Sequence, residues 1–434
     1  MIRRTLLALA LGAAPLSAQS ADTAARPIRL ADAITMAVAA APANVASRGA
    51  IETGNAGVIS AYAAFIPSVT LSMSTSASSP ATARVNPTTG QLVAGKWNTT
   101  GAFSLGVDIF DGGRRLYSVA SARALLGASE AADVAQRYQT AYNVKVQFYA
   151  VLASREQQIA AKAAYDAAVQ QMKASVAKAI AHTVTKSDTL QSLVAVGNAR
   201  LQLLQADLAL QTANATLTRL VASPVTITAS LADSAGDSGA AIDSATVAQL
   251  AQDGPSVRQA NASLDAAVAQ SKGARSTYFP SLSVTYGRNF SRTDSLFTVG
   301  PGVGDYSGQL RFTMSYPLFN QWQRESGIVA ADVARLSAEA NARDAKYAVQ
   351  ESLVQDLGAL RTAEEQTAIQ LVSVAAAEEN LRVQQERYAL GVSTILDVLT
   401  AQSTVNSARV LLIQARFNAR VAKAQLEALI GRDL

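Results

Sequence analysis

Two aspartates hold equivalent places in a chain otherwise short of reactive side chains. Asp188 and Asp397 lie 209 residues apart, each three positions after a threonine, in Thr185-x-x-Asp188 and Thr394-x-x-Asp397. A hydroxyl at a helix start with an acid three residues on has the form of a capping box, in which the two side chains satisfy otherwise orphaned backbone N–H groups. The same carboxylates, crowded into a narrow opening by several copies of the chain, would attract cations and raise one another's pKa by repulsion. The sequence leaves both readings open. Other chemistry is scarce. There is no cysteine and a single histidine, His182, which removes thiol catalysis, disulfides and Cys-ligated zinc, and leaves no material for a His-based triad or metal cluster within one chain. No glycine-rich phosphate loop follows a parallel strand, so neither an enzyme nor a cofactor is implied.

The elements that must place these aspartates come from a duplication. Arg387 to Leu434 repeats, without insertion, a stretch 209 residues earlier. After the second turn an apolar heptad runs through Val405, Ala408, Leu412 and Ala415, matched by Val196, Ala199, Leu203 and Ala206 after the first. A sustained seven-residue period marks helices that supercoil with neighbours, and the alanines permit close backbones. Leu116 to Ala181 lacks proline and has one glycine. At about 1.5 Å per residue it predicts a helix on the order of 100 Å long. Trp322 to Leu390 is its counterpart. A second apolar stripe on that helix wants a second neighbour, which suits a closed wall of helices.

Each long hairpin follows a pair of strands. Ser68 to Ser74 and Phe103 to Ile109 alternate polar and apolar residues, as do the stretches beginning at Leu282 and Gln309, the pattern of strands with two different faces. The polar segments Ser76–Lys96 and Ser291–Ser307 are predicted as exposed loops. The repeats shift by 213 residues at Pro42/Pro255 and Pro67/Pro280 but by 209 at Phe110/Phe319, so length varies only in the first loop, where it costs least. Met1 to Ala18 has the form of a secretory signal. The expected organisation is 1–18 signal, 19–222 first repeat (leading helices, β-hairpin about 67–110, helical hairpin about 113–222), 223–254 linker, and 255–434 second repeat (β-hairpin about 280–319, helical hairpin about 322–431).

Four strands of about ten residues suit a bilayer but cannot close on themselves, and open edges are not tolerated in lipid. Several copies must therefore share one barrel; three would supply twelve strands. The net charge of +5 is spread among intermingled acids and bases, which does not favour nucleic acid. A soluble coiled-coil adaptor would account for the rods but not for four alternating strands with aromatic ends.

The two Pro-Ser strand starts, the Phe110-Asp111-Gly112-Gly113-Arg114 exit and the tip set Arg387-Tyr388, Gly391, Leu396-Asp397-Val398-Leu399 and Ala401-Gln402 resemble the outer-membrane factor family, the TolC-like ducts of tripartite efflux and type I secretion systems. The resemblance covers nearly the whole chain after residue 18. It implies an α+β, mostly helical fold: a homotrimer with a 12-stranded β-barrel among outer-membrane lipid, continuous with a periplasmic helical barrel. It further implies a passive exit duct, joined through a periplasmic adaptor (membrane fusion) protein to an inner-membrane pump of RND or ABC type. The periplasmic gate would involve Asp188, Asp397, Ser187, Tyr388, Ser393 and Thr400, and the adaptor would dock on His182, Thr183, Val184, Thr185, Gly391, Val392, Ser393 and Thr394. The family's tip also carries an arginine two places after the glycine and a second aspartate three places after the first. Here those places hold Ser393 and Thr400, so the resemblance does not extend to an ion-pair lock or a second acidic ring.

Overall fold

The computed structural model describes residues 25–85, 90, 92–182, 184–231, 244–294, 296–297 and 305–434. The signal segment, Thr183 and part of the linker lie outside them. In chain order the elements are β1 (Arg26–Ile28), α1 (Leu30–Ala40), α2 (Pro42–Ala63), β2 (Ser68–Val85), β3 (Leu92–Phe110), α3 (Arg114–Ile180), α4 (Lys186–Val221), β4 (Ile227–Ala229), α5 (Ser244–Gln252), α6 (Pro255–Arg275), β5 (Ser281–Asp294), β6 (Asp305–Ser315), α7 (Gln323–Ala389) and α8 (Ile395–Ile430). The long helices fall within a residue or two of expectation because no proline interrupts them. Pro42 separates α1 from α2 with a bend of 53°, as its missing N–H and fixed φ require. Among the described residues no single helix is long and apolar enough to cross a membrane.

Two expectations need correction. The described residues of the segments read as loops are largely strand: β2 continues to Val85, β3 starts at Leu92, β5 reaches Asp294 and β6 begins at Asp305. Serine and threonine on both faces erase the alternation that betrays a strand, yet the backbone pairing continues, with one register shift between Ala77 and Thr82. The second miss is β1, which pairs in parallel with β4 inside the linker. Three residues are too few for a periodic signal. Arg155 holds this pair to α3, donating to the Ala229 carbonyl at 3.0 Å and to the Thr228 hydroxyl at 2.6 Å.

The chain forms two compact units, each drawing on both repeats. One comprises, among the described residues, those within 25–36, 147–231 and 374–413. In it Phe148, Val151 and Leu152 of α3 are buried, as are Leu217 and Val221 of α4, and Val405 and Ala408 of α8 pack with Ala377. The other comprises, among the described residues, those within 37–146, 244–373 and 414–434. It holds the antiparallel sheet β2-β3-β5-β6 and a helical core in which Leu426, fully buried, meets Val247, Val257, Val349 and Leu353.

One charge sits against that core. Asp356 is 5% exposed and accepts one hydrogen bond from Gln425 Nε2 at 2.9 Å; burial raises its pKa. A carboxyl whose folded pKa lies above its unfolded value destabilises the fold increasingly as pH rises past the unfolded value and fully above the folded one, and has no effect where both states are protonated. Asp356→Asn is therefore expected to raise the melting temperature at neutral pH, with the gain vanishing as pH falls toward the ordinary carboxylate range. A variant melting below wild type at neutral pH would show that the ionised group is wanted.

Candidate functional site

In the half of the sheet next to the helices the strand faces separate into apolar and polar. On one, Val69, Leu105, Tyr286 and Leu310 form a cross-strand row, with Val107, Val284 and Phe312 in the next. On the other, Ser68, Gly106, Thr285 and Arg311 lie side by side, followed by Thr70, Ser104, Gly287 and Gln309. The apolar face leaves Leu71, Phe312 and Met314 exposed, and Phe65, Phe110, Tyr316, Phe319 and Trp322 stand exposed where strands meet helices. Apolar and polar faces with aromatic ends are what a membrane barrel needs toward lipid and lumen.

The strand-to-helix junctions rest on special backbone. Gly112 and Gly113 have φ of 69° and 87°, and their counterparts 209 residues on, Gln321 and Trp322, have 58° and 62°. His182 (57°) likewise matches Gly391 (74°), and Ala222 (54°) matches Gly431 (66°). Each left-handed corner occurs twice, once with glycine and once without.

At the hairpin tips Thr394 and Asp397 make the full capping box, whereas Thr185 and Asp188 make its threonine half, the Asp188 carboxylate accepting from the threonine hydroxyl and from no backbone N–H among the described residues. Asp188 N donates to Thr185 Oγ1 at 3.4 Å, and that hydroxyl donates to Asp188 Oδ1 at 2.9 Å. Asp397 N donates to Thr394 Oγ1 at 3.3 Å, while the Thr394 hydroxyl and N–H each donate to Asp397 Oδ2 at 2.8 Å. Those bonds from Thr394, aided by Arg387, hold the Asp397 carboxyl below its ordinary range. The upward shift expected from crowded carboxylates requires neighbouring copies; within one chain the cap pulls Asp397 the other way.

Tyr388 is half-buried, its hydroxyl shut from solvent close to Ser175 but without a well-formed hydrogen bond among the described residues. Burial and the nearby Asp188 charge raise its pKa, and Lys178 Nζ lies 4.3 Å from the centre of its ring. Lys178 was not legible as a tip residue, because a lysine on a helix reads as a solvated face. Nor was the fully buried hydroxyl pair Ser175–Ser192, 2.9 Å apart, visible in an alanine-rich helix. Ser393 donates to the Gln384 carbonyl at 3.3 Å. Ser187, Thr400, His182, Thr185, Gly391, Val392 and Thr394 are exposed, and Val184 is half-buried. Ser393 and Thr400 bring no charge to the tip, whereas Arg382 is ion-paired with Glu379 at 2.6 Å and with Glu386 at 2.5 Å on the surface of α7. A groove of about 1060 Å³ runs along α3, α4 and α8, lined by alanines, by amides such as Gln157, Gln202 and Asn406, by aliphatic side chains such as Leu190, and by Arg409.

The model of the family described as outer membrane efflux protein matches residues 33–223 and 246–432. The chain belongs to the outer membrane efflux protein family. The two matched blocks follow the duplication. Similar relatives include the probable efflux pump outer membrane protein TtgC and the antibiotic efflux pump outer membrane protein ArpC, both of Pseudomonas putida. Each is 27% identical over 182 residues, 41% of this chain. The match spans 36% of the length of those relatives. Among solved structures, VceC of Vibrio cholerae aligns with a TM-score of 0.75 at 17% identity, covering 93% of this chain and 96% of that one. The Campylobacter jejuni CmeC channel gives 0.74 at 18%, covering 93% and 85%. The Neisseria gonorrhoeae MtrE channel in its open state gives 0.73 at 18%, covering 93% and 89%. CmeC and MtrE are outer-membrane channels and VceC an outer membrane protein, and this member of the outer membrane efflux protein family is placed in the outer membrane.

Proposed function

We propose that three copies of this chain form a passive outer-membrane exit duct for a tripartite efflux pump or type I secretion system. The observation that carries this is the four-stranded sheet with one apolar and one polar face, in which β2 pairs only with β3 and β6 only with β5, so that among the described residues the outer edge of each is left without a partner strand. Unpaired edges in lipid expose backbone groups at several kcal/mol each, and three copies would close a twelve-stranded ring. An inner-membrane pump of RND or ABC type would supply the energy through a periplasmic adaptor docked at the tips, from His182 to Thr185 and from Gly391 to Thr394. The groove along α3, α4 and α8 offers adaptor helices a bed of alanines, amides and aliphatic side chains with one cation, Arg409. Opening would part the tips where Asp188, Tyr388 and Lys178 meet. The test is membrane fractionation, mild detergent extraction, mass measurement and planar-bilayer recording of the full chain. A trimer that conducts is expected; a monomer that never conducts would overturn the reading.

A further inference from the structure

We infer that Arg288 and the notch beside it bind a phosphate group of an anionic lipid in the outer leaflet. This rests on the barrel reading, since the site lies on the face that would meet lipid. Arg288 stands in the same alternating set of β5 as Val284, Tyr286 and Phe290, exposed on the apolar face. A cation near the middle of a lipid-facing strand costs about 2–4 kcal/mol, falling to about 0–1 near the interface.

Its level follows from the strands. Pro280 and Tyr316 mark the helix side and Phe290 pairs with Tyr306 at the far side. Ten residues at about 3.3 Å each, on strands tilted by roughly 40°, give an apolar band of about 25 Å. Arg288 lies two residues inside its outer rim. Its guanidinium carbon sits 5.4 Å from the centre of the Tyr306 ring, so the side chain leans toward the hairpin end and carries its charge to headgroup level.

The surroundings favour an external anion. Among the described residues Arg288 has no acidic partner, whereas Arg292, further out on the same face, is paired with Asp294. The residue opposite Arg288 is Gly308, which leaves a gap between Tyr286 and Tyr306. A Cβ added at Gly308 would fall 3.8 Å from the Tyr286 hydroxyl oxygen. The gap therefore offers a phenolic O–H and a planar guanidinium, both donors suited to phosphate oxygens. A free phosphate ion would reach an exposed arginine on any surface, but here the acyl chains of a phospholipid would also cover Leu310, Phe312 and Leu71.

The experiment uses the full chain in phosphatidylcholine nanodiscs doped with bis-phosphorylated lipid A or with the same lipid A after phosphatase treatment. Retained lipid is counted by native mass spectrometry. Wild type is expected to retain the phosphorylated form in preference. Arg288→Gln, which removes the charge, and Gly308→Leu, which fills the gap, are each expected to lower that retention about fivefold. Arg311→Gln, which removes a charge from the opposite face, is expected to leave it unchanged. Equal retention of both lipids, or an equal loss with Arg311→Gln, would overturn the assignment. Were Arg288→Gln to keep the wild-type lipid complement while still conducting, the phosphate site would fall and the duct would stand; a wild-type chain unable to insert would remove both.

Discussion

Gly112→Ala is expected to destabilise the protein by roughly 2–4 kcal/mol, combining a left-handed backbone that alanine resists with a collision that neighbours cannot relieve. Gly112 has φ of 69°, and an added Cβ would lie 2.5 Å from the Ser276 carbonyl oxygen and 2.9 Å from Phe279 Cβ. The first contact is with backbone, so no rotamer change can yield. The glycine lets the corner between β3 and α3 press against the turn between α6 and β5. The control is Gln321→Ala at the matching corner, which already carries a side chain at φ of 58° and should lose little. Thermal melting of the detergent-solubilised protein measures both. Were the two variants to melt within about 1 kcal/mol of each other, the contact at Gly112 would not be tight.

The second large effect concerns the tips. In the proposed trimer, Asp188→Asn with Asp397→Asn removes six negative charges from the mouth and is expected to lower the cation-to-anion permeability ratio several-fold. Asparagine still accepts the Thr394 N–H and leaves both threonine caps in place, so the protein should stay folded at neutral pH and lose only the charge-dependent share of the second cap. Thr185→Ala with Thr394→Ala is the complement: about 0.5–2 kcal/mol lost per cap, with selectivity retained. Selectivity that follows the threonines and ignores the aspartates would sink the gate and leave only the cap. The pH dependence has a definite sign. The folded pKa of Asp397 lies below its unfolded value because Thr394 donates to the ionised carboxylate. Its stabilising contribution is complete above the ordinary aspartate range and is lost as pH falls below about 4 toward the folded value. In Asp397→Asn that acid-sensitive part of the unfolding curve should disappear.

The long helices were legible because absence of proline and a seven-residue period speak over dozens of positions. The capping boxes were legible because the hydroxyl and the acid sit at fixed spacing. What escaped was local or polar on all sides. Residues 26–28 and 227–229 pair without enough length to show a period. The outer ends of β2 and β3 carry serine and threonine toward both faces, so pairing leaves no mark in hydropathy. Lys178 looks like any solvated lysine until the fold brings it over the Tyr388 ring, a meeting of two hairpins that no spacing within either one encodes.

The paired left-handed corners bear on how such proteins drift. At 112/321, 113/322, 182/391 and 222/431 the bend persists whichever residue occupies it, because packing on either side dictates the path and a modest local penalty is absorbed. Shape can thus outlast its own chemical signature, which agrees with alignments at 17–18% identity that still superpose with TM-scores of 0.73–0.75. Distant kin lacking the telltale glycine would then be recognised more surely by the course of their backbone than by any letter written at the bend.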